Sequence, residues 1–586
     1  MKSAVRLSER LYGILLGLRS RINLSGKSGT FLYAVCAGVL AALVATVFQK
    51  STQFILATLT GTEGGRFVAT FQQIPDWRKI FALAVGGAIS GLILLFASQK
   101  VKKKATPYME AVAIGNGYIP VRPNLLRSLA AIITIGSGAS IGREGPLVQT
   151  VTVFASLFGR KMNVPLPRLR LLIACAAAGG MSAVFHTPLA GGLFVCEIVI
   201  GVMSIDILAP LLVSSCASYI TIMTISNPAP LYEISRAYLS QEVSIAFYAL
   251  LLGILSSLLA KMWLTMLNGA RKTLNGNPYW LPVRLALAGI IVGSISIYYP
   301  EVVGNGAHII RGIVSMDFSA GQILVFTVLK ISCVALFFGM GAVGGVLTPS
   351  LTIGSIFGFL FANVLVSAGV PLSPEEVIGF SLLGMAAFFT TAAAAPITSL
   401  MLVLEFTLAG RMIFPLIIGV LTSYAVSKMT GAKSMYSSAL AGNVMSAFNR
   451  PIAEVKLSDI FRKNSDTVML NETFGKISKR FLATPDEAVF VASRTNKYLG
   501  AIFRSDILSF LKSDYVSNVI AEDIMRTDLP KLSPETPLID AIKTFSEISG
   551  EILPIVDASG KFCGTVYKSD ILMGFAEVMR RERVRV

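Results

Sequence analysis

An all-α, polytopic membrane body of short, interrupted helices, followed by a smaller α/β pair, is the fold class this sequence predicts. Three observations predict it. The 586 residues are 54% hydrophobic and only 14% charged, with a mean hydropathy of +0.69, whereas soluble chains carry about 25% charge. The apolar part repeats itself, so it consists of two related halves. Beyond Tyr436 the character changes to polar, mixed-charge sequence with a repeat of its own.

In chain order, residues 1–27 come first, and 3–22 read as an amphipathic helix lying at the cytoplasmic interface. Arg6, Arg10, Arg19, Arg21 and Lys27 flank the first long apolar segment. The positive-inside tendency therefore places the N-terminus in the cytoplasm. No short apolar run with a small-residue cleavage site follows Lys2, so no removable signal peptide is expected. Residues 28–450 form the membrane domain. Its apolar segments lie near 30–48, 80–98, 125–141, 147–159, 171–185, 188–204, 207–225, 243–267, 282–299, 322–339, 349–367, 376–390, 396–408 and 412–429. Many fall short of the ~20 residues a full span needs. Glycine and proline interrupt them, as in Gly142-Arg-Glu-Gly-Pro146 and Gly344-Gly-Val-Leu-Thr-Pro349. Broken helices at membrane depth must turn their open ends toward protein or a watery cavity, which is how ion pathways are built.

The membrane repeat has a fixed register. Gly136, Gly138, Gly142, Pro146, Phe154 and Phe158 match Gly339, Gly341, Gly345, Pro349, Phe357 and Phe361 at an offset of 203. Pro188 and Glu197 match Pro396 and Glu405 at 208, each pair in a P-x8-E pattern. The halves run about 28–227 and 240–440, and substrate sites in such proteins lie where halves meet. In the C-terminal part, 451–586, Gly500-Ala-Ile-Phe-Arg-Ser-Asp506 matches Gly564-Thr-Val-Tyr-Lys-Ser-Asp570 at a period of 64. The two units run about 451–512 and 519–580.

The formal charge of +18 is unevenly placed. From Pro451 onward 19 basic residues balance 19 acidic ones, leaving 32 and 14 in the first 450. Cytoplasmic loop anchoring accounts for such an excess, and a positive potential favouring anions is the sharper reading. Nucleic acid is not an expected partner. Cys36, Cys175, Cys196, Cys216, Cys333 and Cys563 form no CxxC pair and read as free thiols. With only His186 and His308, no metal site is expected, and no cofactor motif is present.

The segments Gly142–Pro146, Gly344–Pro349 and Gly431-Ala-Lys-Ser-Met-Tyr436 resemble, in order and spacing, motifs of the CLC family of chloride channels and anion/proton antiporters. The resemblance covers nearly the whole chain, and the 64-residue repeat is similar to the CBS pair many such proteins carry. It implies two inverted halves of roughly eighteen helices, a homodimer with a separate pore in each subunit, and chloride or a similar small anion as substrate. Glu144 matches the gating glutamate. Gly142, Arg143, Gly145, Gly345, Val346 and Leu347 match the anion-binding loops, and Tyr436 matches the tyrosine that donates to the central anion. Independently of resemblance, a helix N-terminus presents unpaired N–H donors and about half a positive charge. A carboxylate at Glu144 would compete with an anion for that place and withdraw on protonation; the plainer reading is an acid paired with Arg143 or capping a helix.

Three departures bear on mechanism. The antiporters' intracellular proton relay would stand at Ile198, which carries no proton; Glu197 and Glu405 read as structural. The family's serine-bearing filter segment falls on Lys103-Lys104-Ala-Thr-Pro107, so Lys104 replaces the serine, as an anchor or as an attractor of anions. The CBS aspartates that would hold an adenine nucleotide, Asp506 and Asp570, are preceded at the hydroxyl positions by Phe503 and Tyr567. A structural or dimer-stabilising module is expected ahead of a nucleotide site. His186 reads as a packed helix-end residue ahead of a proton relay.

The sequence thus points to passive, Glu144-gated anion conduction in membrane lipid, the compact loops suggesting a prokaryotic inner membrane. Chloride/proton exchange by another intracellular path, such as water or His186, is the alternative within transport. A CBS-regulated divalent-cation transporter would need clustered hard oxygen ligands, which the membrane helices lack. No nucleophile–base constellation suggests an enzyme.

Overall fold

A computed structural model describes residues 27–62, 65–100, 105–113, 117–162, 164, 166–201, 203–226, 238–240, 242–274, 276–407, 412–436, 455–461, 467–483, 488–503, 506, 519–547, 552–568, 570 and 571. The interfacial helix expected over 3–22 and the Lys103-Lys104 pair lie outside these residues. The chain divides into two compact units: one is residues 1–108, 119–155 and 172–436, the other residues 109–118, 156–171 and 437–586.

Seventeen α-helices lie between Lys27 and Met429 among the described residues. They are α1 (Lys27–Thr60), α2 (Phe67–Gln73), α3 (Asp76–Lys100), α4 (Tyr108–Ala113), α5 (Val121–Gly136), α6 (Glu144–Lys161), α7 (Leu166–Phe185), α8 (Pro188–Phe194), α9 (Ile205–Ser226), α10 (Val243–Leu274), α11 (Leu281–Tyr298), α12 (Ala307–Val314), α13 (Ala320–Gly339), α14 (Leu347–Ser367), α15 (Pro374–Ala393), α16 (Pro396–Thr407) and α17 (Ile413–Met429). Nine spans among the described residues are long and apolar enough to cross a membrane. The sequence repeat reappears as packing. Helices α1 and α9 pair in the first half as α10 and α17 do in the second, and α3 packs on α5. The second-half helix α15 has every residue from Val377 to Ala393 buried, as an apolar helix inside a bundle must be.

Lipid supplies no hydrophobic force between helices, so small and hydroxylated residues hold them together. Ser182, Ser214 and Ser218 donate to the carbonyls of Ser215, Cys175 and Gly179 between α7 and α9. In the other half Thr391 reaches the hydroxyls of Ser257 and Ser423. Gly354 and Gly358 of α14 face Gly384 of α15 closely enough that a Cβ on Gly358 would stand 2.1 Å from the Phe380 carbonyl oxygen.

The apolar segment expected over 30–48 is part of the 34-residue α1, about 51 Å long, because Gln49, Lys50, Ser51 and Thr52 interrupt the pattern without breaking the helix. The segment expected over 188–204 is α8 followed by a π-helical turn, Val195–Ile200, ended by Gly201 at φ +75°. Pro210 is accommodated inside α9.

The second unit contains β1 (Thr467–Val468), α18 (Phe474–Ala483), β2 (Ala488–Ala492), β3 (Tyr498–Phe503), α19 (Ala521–Ile524), α20 (Leu538–Glu547), β4 (Ile552–Val556) and β5 (Phe562–Tyr567). The period of 64 holds to the register. Ala488 pairs with Phe503 and Ile552 with Tyr567, and both hairpins shift register at the same place, Val491/Ala492 and Ile555/Val556. Each copy has its own buried core, around Ile477 and Val491 in the first and Leu538 and Ile555 in the second.

Candidate anion site

Two loops related by the repeat meet in the membrane body. Helices α5 and α13 both end at a repeat glycine, and two residues later Gly138 and Gly341 take φ +101° and +97°. Only glycine adopts that backbone readily, and it turns each chain back on itself. The chains then meet: Gly142 N–H donates to the Gly345 carbonyl and Gly345 N–H to the Gly142 carbonyl, both at 2.7 Å. From this seam α6 and α14 start at repeat-equivalent residues, Glu144 and Leu347, with Pro146 and Pro349 third in each helix, where no N–H is needed. Val346 is the N-cap of α14. The N–H groups of Gly142 and Gly345 are thus each paired with the other glycine's carbonyl.

Glu144 is 2% exposed. The Thr348 hydroxyl donates to its Oε1, and its Oε2 accepts no hydrogen bond among the described residues. A Cβ added to Gly142 would lie 2.2 Å from Oε2, and one added to Gly345 would lie 3.2 Å from it. The carboxylate therefore rests in the glycine seam, linking the first turns of two helices from different halves. Thr348 carries no sequence signal except its place in the second loop, and it was not expected to touch Glu144. Gly145 lies beside the seam, a Cβ there standing 3.8 Å from the Gly345 Cα, and Arg143 and Glu144 line a cavity with Thr348.

Tyr436 packs edge-on against Phe194 with ring centroids 5.7 Å apart. Tyr108, at the start of α4, and Glu144 both bear electrostatically on the Tyr436 hydroxyl, and Tyr108 was not foreseen. Lys104 lies outside the described residues.

Glu197 and Glu405 do something else. Glu197 accepts the backbone N–H of Ile397 and Thr398, at 3.1 and 2.8 Å, and the Thr398 hydroxyl at 2.6 Å. Glu405 accepts the N–H of Leu189 and Ala190, at 2.8 and 2.7 Å. Each acid caps the helix that begins at the other half's repeat proline, α16 and α8. Ile198 is buried in the π-helical turn. His186 ends α7 in a left-handed conformation, φ +57°.

In the second unit Arg526 clasps the Asp506 carboxylate through Nε at 3.0 Å and through Nη2. The acid holds that guanidinium above its ordinary pKa. Asp506 also accepts the Phe503 N–H. Asp570 faces Arg170 at 3.4 Å. Both aspartates considered for a ribose therefore already face arginines.

The sequence model of the family described as voltage gated chloride channel matches residues 86–428, and that of the CBS domain matches 521–577. The chain is 34% identical to the chloride channel protein ClcB-like of Ralstonia nicotianae, over 70% of this chain and 95% of that one. It is 30% identical to the voltage-gated ClC-type chloride channel ClcB of Escherichia coli, over 69% and 97%. Among solved structures, a slow cyanobacterial Cl-/H+ antiporter matches with a TM-score of 0.61 at 19% identity, covering 70% of this chain and 97% of that one. A eukaryotic CLC transporter matches at 0.63 and 16%, covering 92% and 97%. A family match across more than half its length, and relatives matched almost end to end, make this chain a member of the voltage-gated chloride channel family, CLC.

Proposed function

We propose that this protein carries chloride, or a similar small monovalent anion, across a bilayer by a passive pathway gated by Glu144. The observation that supports it is the place of that carboxylate, buried in the seam where two half-helices from opposite repeats begin. Dipoles and N–H donors there favour negative charge. The ionised side chain occupies the place an anion would take, and protonation releases it. Binding by dipoles and hydroxyls also lets the ion leave. The related chloride channel proteins of Ralstonia and Escherichia support chloride as the substrate. The setting we infer is a bacterial inner membrane, as a homodimer, with the N-terminus and the CBS pair in the cytoplasm.

Channel-like conduction is the favoured form because Ile198 is apolar and buried where an intracellular proton acceptor would stand. Chloride and proton fluxes measured together from proteoliposomes test this. Chloride efflux without stoichiometric proton uptake is expected, rising as pH falls, and Glu144→Ala should remove the pH dependence. Proton uptake against a gradient in fixed ratio to chloride would establish exchange instead. Absence of chloride flux in both proteins would overturn the proposal.

A further inference from the structure

Helix α13 carries a single basic residue, Lys330, and its side chain is fully buried. Its amine donates to the carbonyls of Val302 and Gly304, at 2.8 and 2.7 Å. An amine inside a membrane helix is costly to bury unless its hydrogens find acceptors, and such residues serve function by default. The Glu144 gate makes no direct use of it.

What the amine holds is a loop that touches the supports of the gate from both halves. The loop follows a 3-10 turn at Pro300–Val302 and leads through Gly306 into α12. Gly304, at φ +68°, donates its N–H to the Gly138 carbonyl at 3.0 Å. Gly138 is the left-handed turn residue of the first half, four residues before the seam glycine Gly142. Gly306 lies against the second half, where a Cβ would stand 2.6 Å from the Thr352 hydroxyl oxygen. That hydroxyl donates to the Thr348 carbonyl at 3.0 Å, and Thr348 holds the Glu144 carboxylate. Val302, Val303 and Gly304 are buried, so water does not compete for the carbonyls that the amine takes.

We propose that Lys330 is a positioning residue of the gate: by holding the loop 302–306 it fixes the Gly138 turn, and through it the seam in which the Glu144 carboxylate rests. The inference rests on the reading of Glu144 as a gate, whereas the link between the two loops stands without it. With the clamp released the turn gains freedom. The closed, ionised carboxylate then loses its fitted place, while the withdrawn, protonated form has no such place to lose. Protonation opens the pathway, so the opening range moves to higher pH. The other groups around the carboxylate stay as they are in this change. They are Arg143 beside it, Arg66, His308 and Arg311 on the same cavity, Asp317 acting on His308, and Tyr436. Cys333, one turn along α13, is the titratable group that bears on Lys330.

The test uses the full-length protein and two variants. Lys330→Met keeps the length of the side chain and removes its donors. Gly304→Ala leaves every charge in place but sets a Cβ on a left-handed backbone, with room for it 3.5 Å from the Phe67 side chain. Hydrogen–deuterium exchange of the detergent-solubilised protein reads the link without flux, and both variants should raise exchange over 298–306 and also over 137–143. In proteoliposomes both should move the pH of half-maximal chloride efflux upward by about one unit, a tenfold change in proton concentration. Lys330→Gln, which keeps a donor, should move it less. Should Lys330→Met fail to accumulate, Gly304→Ala decides both readouts. Exchange raised over 298–306 alone would reduce Lys330 to a local staple and overturn the proposal, as would an unshifted pH profile. A shift in Lys330→Met that Gly304→Ala does not share would assign the effect to charge and overturn it too. Coupled exchange in a protein that moves no chloride would keep the link between the loops and remove the chloride pathway.

Discussion

Glu144, Glu197 and Glu405 are all acids of the membrane body, and what each touches decides its role. Glu197 takes three hydrogen bonds from the first turn of α16, and Glu405 takes two from α8. A net charge-assisted bond contributes about 1.5–3 kcal/mol. Glu197→Ala should therefore destabilise the protein by about 4.5 kcal/mol and Glu405→Ala by about 3 kcal/mol, estimates taken at the low end per bond. Thermal unfolding in detergent checks the order, and Glu197→Gln, which keeps an acceptor, should recover part of the loss. Among the described residues Glu144 has one hydroxyl partner and an oxygen that accepts no hydrogen bond, so its removal should alter flux more than stability. The sequence already separated the acids this way, because the P-x8-E pattern tied two of them to helix starts and left the third in a glycine loop. It did not show Thr348 as the partner, since that contact joins residues 204 positions apart.

Among the elements, the seam of two loops and the packing of α14 on α15 depend most on glycine. A Cβ at Gly142 meets both the Glu144 carboxylate and the Gly345 carbonyl, the latter at 2.9 Å. Gly142→Ala should thus push the carboxylate out and reproduce the pH-insensitive flux of Glu144→Ala, measured in the same efflux assay. Gly358→Val should stop accumulation of monodisperse protein, because backbone lies 2.1 Å from the new Cβ. Gly269→Ala in α10 meets nothing within 4 Å and should stabilise by about 0.5–1 kcal/mol. Most elements were legible in advance as apolar runs bounded by Gly and Pro. The short α2, α4 and α12 were not, since six to eight residues cannot establish a period. The π-helical turn was hidden too, as its composition matches that of the helix before it. Lys330 escaped notice for a related reason: one cation in an apolar run says nothing of the two carbonyls that fold back to meet it.

For the whole molecule, the two halves and the doubled C-terminal unit were readable because repeats keep their offset whatever the fold does with them. The chemistry left in the second copy of a motif was less readable. The missing hydroxyls at Phe503 and Tyr567 weakened the case for a nucleotide, and the arginines facing Asp506 and Asp570 weaken it further. Titration of the full-length protein with ATP should give no binding below the millimolar range. Truncation after residue 450 should lower the unfolding temperature, because Arg170, with only 7% of its side chain exposed, loses the Asp570 carboxylate.

The exchange of caps between Glu197 and Glu405 also sets a timetable. The donors that Glu197 needs lie 200 residues further along, and a ribosome adding roughly 5–20 residues per second takes about 10–40 s to supply them. Through that interval the nascent first half holds an acid at membrane depth with its helix-end donors not yet made. The insertion machinery must shelter it until α16 emerges, so release of the first half alone should mark it for degradation. Supplying the second half as a separate chain at the same time should rescue it.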